Sequence, residues 1–283
     1  MKKWNLIVDV AECTNCNNCF IATKDEYVGN EIKGYSVPQP LHGHKWINIL
    51  KRERGHYPRI DVTYVPTMCN HCDDAPCMKQ GGSAVKKRDD GIVIIDPEKA
   101  VNRKDIVESC PYGAVWWNEE YSVPQTWTFD AHLLDRGWDK PRCVQSCPTG
   151  AMQVVKISDE EMAAKVNDEK LEVFRPEFNT KPRVFYKNLH LYNKLLVAGE
   201  VLVSLDGVID CASKAHVDLY SQDNKLASTE TDEFGEYKID GLDMELGDCE
   251  LRISHANHPT NTITFSVKDQ SVILDSVILD SKQ

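Results

Sequence analysis

The residues most able to do chemistry in this chain are its cysteines. Nine of the 11 lie in the first 147 residues of 283. Cys13, Cys16 and Cys19 form a C-x2-C-x2-C run, and Cys69, Cys72 and Cys77 form a C-x2-C-x4-C run. Cys110 and Cys147 are each followed by proline. Three closely spaced thiolates completed by a distant Cys-Pro is how a ferredoxin-type domain holds an iron–sulfur cube. The set occurs twice, so the sequence carries sulfur for two 4Fe-4S clusters. Zinc is the main competitor, but it draws on pairs of ligands, and the third cysteine of each run is surplus to that scheme. Disulfides suit small secreted chains with even cysteine counts, and this chain is neither small nor even. On spacing alone, Cys110 and Cys147 are interchangeable between the two triplets.

The elements around these cysteines repeat. Ile7-Val8-Asp9 precedes Cys13 as Ile94-Ile95-Asp96 precedes Ala100. Counting back from Cys110 in the C-x2-C-x2-C-x3-C-P frame lands on Ile106, Arg103 and Ala100, so both registers agree. Cys110-Pro111-Tyr112-Gly113-Ala114 parallels Cys147-Pro148-Thr149-Gly150-Ala151. Each of two modules thus has room for two cubes and keeps the sulfur for one. One vacated set is Thr23, Trp127, Asp130 and Cys143; the other is Gly81, Ala100, Arg103 and Ile106. Cys143 reads as a small buried leftover. An empty cube-sized hole is costly, so Trp127, with Arg103 and Ile106, is expected to fill the space.

The formal net charge of −11 argues against nucleic acid as a partner. Trp4-Asn5-Leu6-Ile7-Val8-Asp9-Val10 is too short and too alternating for a signal peptide or a membrane span, which points to a cytoplasmic chain with no membrane segment of its own. A double ferredoxin-type domain is expected over 1–195, with an insertion at 24–66 and an extended C-terminal strap at 156–195. The insertion predicts a strand over Lys45 to Arg54, basic through Lys51, Arg52, Arg54 and Arg59, either a solvated face or a docking surface. Ser158-Asp159-Glu160-Glu161 is a capping box that opens a helix to about Asn167, and Pro176 and Pro182 enforce extended chain beyond it. Over 196–283 the texture becomes short alternating runs: 200–204, 215–220, 236–239, 250–254, 262–267 and 272–279. Turns at Asp206-Gly207, Asp223-Asn224 and Gly247-Asp248 separate them and predict a small antiparallel β-sandwich. The expected class is therefore α+β: duplicated 4Fe-4S ferredoxin-like modules followed by that sandwich. Thr231-Asp232-Glu233-Phe234-Gly235-Glu236-Tyr237 resembles prealbumin-like or Cna-B-like modules.

The order of the four cysteine groups resembles the iron–sulfur subunits of the dimethyl-sulfoxide-reductase family of molybdenum enzymes. Trp46-Ile47-Asn48-Ile49 with Lys51-Arg52-Glu53-Arg54-Gly55, Trp117-Asn118-Glu119-Glu120, Ala131-His132-Leu133-Leu134-Asp135, and the run from Lys181-Pro182-Arg183 to Leu189 are similar to the narrower pyrogallol–phloroglucinol transhydroxylase small-subunit family. The resemblance implies one cube on Cys13, Cys16, Cys19 and Cys147, and another on Cys69, Cys72, Cys77 and Cys110. Thr23, Trp127 and Asp130 depart from it, since that pattern has cysteines there. It implies a partner, a large catalytic subunit carrying molybdenum bis-molybdopterin guanine dinucleotide, in a heterodimer or larger complex acting on phenolic rings. No nucleophile–base set or carboxylate pair stands near the cysteines, so no catalytic residue is assigned to this chain. Electron relay is the expected role; the alternatives are a structural brace without net current, an iron–sulfur subunit of another molybdoenzyme of that family, and a zinc scaffold.

Overall fold

A computed structural model describes residues 1–205, 207–256 and 258–280. The chain divides into two compact units, Met1–Lys51 with Tyr64–Leu189, and Arg52–Thr63 with the chain from His190 onward. In the first, the strands are β1 (Lys3–Asp9), β2 (Ile47–His56) and β3 (Arg59–Met68), whose hairpin tip belongs to the second unit, then β4 (Val85–Lys87), β5 (Val93–Ile95), β6 (Trp116–Asn118), β7 (Val123–Gln125), β8 (Met152–Ile157) and β9 (Val184–Lys187). Its helices are α1 (Asn18–Tyr27), α2 (Pro76–Gly81), α3 (Lys104–Glu108), α4 (Ala131–Leu134), α5 (Arg142–Gln145) and α6 (Asp159–Asp168).

Strand β1 organises this unit. Trp4 to Val8 are all buried, as a strand covered on both faces requires. It lies between β8, antiparallel with Val8 opposite Met152, and β9, parallel with Leu6 opposite Val184. The capping box at Ser158 forms on both sides: Glu161 N–H donates to the Ser158 hydroxyl, and the Ser158 N–H donates to the Glu161 carboxylate. The duplication in the sequence is visible in the backbone. Ala11 N–H donates to Asp9 Oδ1 at 3.1 Å, and Glu98 N–H donates to Asp96 Oδ1 at 3.1 Å.

The second unit opens with α7 (His190–Asn193) and continues through β10 (Leu195–Leu205), β11 (Val208–Cys211), β12 (His216–Ser221), β13 (Asn224–Glu230), β14 (Glu236–Leu242), β15 (Gly247–Ser254), β16 (Asn261–Val267), β17 (Val272–Ile273) and β18 (Val277–Asp280). One sheet runs β13-β12-β15-β16; the other is built on β10, flanked by β11, β14, β17 and β18. Val197, Val201 and Ile239 from one sheet share a core with Val217, Leu219, Leu251 and Ile253 from the other. The expected all-antiparallel arrangement is corrected at one place: β17 and β18 run parallel to β10. The chain reaches them from the opposite sheet, after β16, and therefore returns in the same direction as β10. The turn expected at Asp206-Gly207 falls partly outside the described residues.

The basic run of the insertion is not simply a solvated face. Within the second unit, Arg54 is buried and forms ion pairs with Asp61 at 2.7 Å and Asp240 at 2.6 Å. Arg59 pairs with Glu236 at 2.9 Å, and Arg52 donates to the Tyr192 carbonyl. These pairs account for residues 52–63 clustering away from the first domain in which the sequence places them. Burial opposes ionisation of Asp240, but the hydrogen bonds and charge of Arg54 outweigh it and hold its pKa below the ordinary value. A depressed carboxylate contributes stability that is complete above the unfolded value of about 4 and is lost as pH falls through the folded value. Arg54→Ala should cost about 3 kcal/mol, because it strands partly buried carboxylates. Denaturant unfolding at neutral pH measures the loss, and the difference from wild type should shrink as the pH drops below about 4.

Candidate metal centres

The pairing of β1 with β8 brings the ends of the first unit together. Cys13 follows β1 through a 3-10 turn at Val10–Glu12, and Cys147 stands just before β8. Helices α1 and α5 pack beside this junction, with the Asn18 side chain donating to the Ser146 carbonyl at 3.4 Å and Arg142 paired to Glu26 at 2.6 Å. Cys13 and Cys19 thereby become electrostatic neighbours of Cys147. The structure thus groups Cys13, Cys16, Cys19 and Cys147. In the other half, α2, the β4–β5 hairpin and α3 group Cys69, Cys72, Cys77 and Cys110, and these four line one pocket with Val93 and Ile95. Cys110 thus lines the same pocket as the second triplet, and Cys147 follows the helix that packs beside α1.

Both cages are built by the same local device. The residue two steps after the first cysteine, Asn15 in one and His71 in the other, is left-handed, with φ of 57° and 44°. Its N–H donates to the first thiol, Cys13 or Cys69. Non-glycine residues adopt this conformation uncommonly, Asn and His more readily than most. Each Cys-Pro turn closes on a left-handed glycine, Gly113 at φ 62° and Gly150 at φ 72°, where a side chain is disfavoured.

The electrostatics fit soft cationic metal. Burial pushes the Cys19 thiol up to about 12, Cys77 to about 12 and Cys72 to about 11, and it raises Cys69 as well; neighbouring thiols add to the shift. Grouped, buried sulfur of this kind is ionised by bound metal, whose charge reverses the local logic. Cys147 departs from its neighbours. Burial raises it, but N–H groups of Met152, Thr149 and Ala151 and the Thr149 hydroxyl prevail and hold it below the ordinary value. Donors aimed at a ligand sulfur are how a protein tunes a cluster.

The two positions read as vacated are filled by different physics. Thr23, Trp127, Asp130 and Cys143 are all buried, each at 2% exposure or less. Trp127 stacks on Phe129 with centroids 4.8 Å apart, and the His71 ring meets both edge-on. Thr23 turns its hydroxyl onto the Cys19 carbonyl at 2.9 Å. Asp130 accepts from Tyr27 at 2.8 Å, the Trp127 indole at 3.2 Å and the Arg142 N–H at 2.7 Å. At the other position Ala100 and Ile106 join an apolar cluster with Val85, Val93 and Val115, against which Cys77 and Cys110 pack. A Cβ on Gly81 would run into the Val85 side chain and lie 3.3 Å from Ile106 Cδ1. Arg103 is the correction: its guanidinium forks onto Asp105 at 2.8 and 2.7 Å, with its side chain 37% exposed, and fills nothing. A charged group without a buried anion stays at the surface. Tyr27 and His71 are the site residues that sequence reasoning missed. His71 was signalled only by its place inside a ligand run, and Tyr27 by nothing local.

A ferredoxin-type unit with two four-cysteine cages defines an iron–sulfur protein, and residues 60–157 match the 4Fe-4S dicluster domain family. The chain is 44% identical over 282 residues to the pyrogallol hydroxytransferase small subunit of Pelobacter acidigallici, spanning 99% of this chain and 100% of that one. It is 29% identical to a tetrathionate reductase subunit of Salmonella typhimurium over 66% of this chain and 73% of the relative. It is 25% identical to the arsenate respiratory reductase iron–sulfur subunit of a Shewanella species over 64% of this chain and 94% of the relative. The chain therefore belongs to the pyrogallol hydroxytransferase small-subunit family, among the iron–sulfur electron-transfer subunits of molybdoenzymes.

Trp127→Ala should open a cavity where the stack now sits and cost about 3–5 kcal/mol. Gly81→Ala should cost about 1–3 kcal/mol by overpacking against Val85. Chemical denaturation of each variant reports the loss; a neutral result at both would mean that these positions are not packed as described.

Proposed function

We propose that this chain is the non-catalytic electron-transfer subunit of a molybdopterin-dependent oxidoreductase or hydroxyltransferase acting on phenolic aromatics. It would bind a large catalytic subunit carrying molybdenum bis-molybdopterin guanine dinucleotide, in the cytoplasm. The observation that carries this reading is the end-to-end match, at 44% identity, to a pyrogallol hydroxytransferase small subunit. Among the described residues no helix is long and apolar enough to cross a membrane. In this reading Cys13, Cys16, Cys19 and Cys147 hold one 4Fe-4S cluster, and Cys69, Cys72, Cys77 and Cys110 hold the other. Each cluster supplies a one-electron store when bound. The chain holds the sulfurs at fixed spacing, donates N–H groups to them, and keeps water from the buried members of each set. Cys143 stays a buried thiol. The domain of two sheets reads as a prealbumin-like or Cna-B-like module, consistent with its shared core and with the loop at Asp232, where Oδ1 accepts from Phe234 and Glu236 N–H groups.

A second reading, a brace whose clusters carry no net current, draws support from the filled positions: a relay with vacated stations is a poorer conductor. Anaerobically purified protein should contain roughly eight irons per chain. Cys147→Ser and Cys110→Ser should each lose about half of that iron while the other cluster's EPR signal survives. Zinc in place of iron would sink both readings. Freeze-quenched EPR during turnover decides between relay and brace: cluster signals should change as product forms, and static signals would leave the brace.

A further inference from the structure

Asp130 is a fully buried acid, and no cationic side chain is hydrogen-bonded to it. Its three partners all donate: the Tyr27 hydroxyl and Trp127 indole to Oδ1, and the Arg142 main-chain N–H to Oδ2. Burial raises the Asp130 carboxyl above its ordinary value, whereas the three donors aimed at its oxygens favour the ionised, acceptor-only form. A protonated acid would have to donate to the Tyr27 oxygen and turn the Tyr27 hydroxyl onto Thr128, and in that state Asp130→Asn would leave the cluster potential unmoved. The Arg142 guanidinium is committed elsewhere, to Glu26 and Asp25. His132 lies near enough to act on Asp130 electrostatically, but its Nε2 meets Glu26 at 2.7 Å. The remaining groups around the acid are neutral: Thr128, hydrogen-bonded to Tyr27 at 2.6 Å, and the thiol of Cys143.

The helices that hold Asp130 decide which cluster feels this charge. It accepts from Tyr27 at the end of α1, the helix that carries Cys19, and from the Arg142 N–H that opens α5, the helix that leads to Cys147. Cys19 is one of the four sulfurs of the first cage. The route toward the second cage passes instead through the Trp127 indole and the ring of His71.

We propose that Asp130 is a buried anion that holds down the reduction potential of the cluster on Cys13, Cys16, Cys19 and Cys147. The inference rests on the reading of those cysteines as cluster ligands. Reduction adds one electron, and so one negative charge, to the cube. A carboxylate fixed nearby in a poorly screened interior opposes that added charge. The position belongs to the set read as vacated by a neighbouring cube, so the side chain restores negative charge where a charged inorganic group would otherwise stand. Asp130 is thus a positioning residue for potential, acting through space and not as a ligand.

The test is an EPR-monitored redox titration of the full chain, purified anaerobically with whatever large subunit accompanies it. Cys147→Ser and Cys110→Ser variants assign each signal to its cage. Asp130→Asn should raise the first-cage midpoint by a shift equivalent to about tenfold in the reduction equilibrium, about 59 mV for a one-electron couple. The second-cage midpoint should move much less. Asp130→Glu, which keeps the charge, should stay close to wild type. If Asp130→Asn fails to load iron, Asp130→Ser, small and neutral with room for a water, takes its place and should shift the same way. An unmoved first-cage midpoint would overturn the proposal. So would equal shifts at both cages, or Asp130→Glu moving as far as Asp130→Asn, either of which would mark a merely structural role. Wild-type protein with no cluster signal would defeat the ligand reading instead, leaving the two failures distinguishable.

Discussion

The first cage depends on a strand pairing that closes most of the first unit's length. Val8 opposite Met152 sets Cys147 beside a triplet more than a hundred residues away in sequence. Closure over such a span costs loop entropy that grows only slowly with length, and burial of Trp4 to Val8 on both faces offsets it. Cys13 is anchored by the turn on Asp9, whose carboxylate also accepts from the Asn188 side chain at 2.7 Å. Strand β9, which brings Asn188 there, therefore braces the same junction from the other side. The extended strap after α6 is part of the clamp that fixes sulfur geometry.

The second cage is built from local pieces. α2, the β4–β5 hairpin and α3 follow one another closely, and the apolar cluster of Val85, Val93, Ala100 and Ile106 lies directly under Cys77 and Cys110. The cages also differ in exposure: Cys69 and Cys72 are buried, whereas Cys16 is exposed. Among the sulfurs of the first cage, Cys147 stands apart, since its N–H donors outweigh burial, while burial dominates at Cys13 and Cys19 as it does at Cys69, Cys72 and Cys77. Donors lower the cost of thiolate charge and burial raises it, so a single ligand type meets two environments. One duplicated scaffold thus places its cysteines in environments that differ most in exposure and at Cys147.

Much of this was legible in the chain. Cysteine spacing marked both triplets and the two Cys-Pro positions, because ligand runs are written at fixed local offsets, but spacing alone could not say which Cys-Pro joins which triplet. The capping box at Ser158 marked the start of α6 for the same reason. Alternation revealed β10, β12, β14, β15 and β16, where one face is buried and the other is wet. It missed β11, all of whose residues are exposed, and β13, whose inward face is only partly covered. Such edge-like strands leave little hydrophobic pattern to read. The fate of the basic insertion was illegible too: Arg54 meets an aspartate 186 positions away, and no local signal reports so distant a partner. Trp127 was readable as a filler because only bulk can replace a cube, but Arg103 was not, since its fate was decided by Asp105 two residues on.

The unlike packing at the two positions bears on how this scaffold stays folded without cysteine there. At Gly81 the Val85 and Ile106 side chains occupy the space that a side chain would need, so apolar neighbours close it by themselves. At Asp130 the space is closed by polar atoms, and every polar atom added to a core must find a partner or weaken the fold. Tyr27 meets that demand by bridging Asp130 and Thr128, and the Arg142 N–H, free at the first turn of α5, takes the other carboxylate oxygen. Arg142 in turn ties α5 to α1 through Glu26. The filling of the polar position and the helix pairing that presents Cys19 and Cys147 are therefore one network. An apolar side chain at residue 130 could fill the volume, but it would leave the Arg142 N–H and the Trp127 indole unpaired inside the protein. Retention of a buried acceptor side chain at residue 130 thus follows from the polar groups already committed to that pocket.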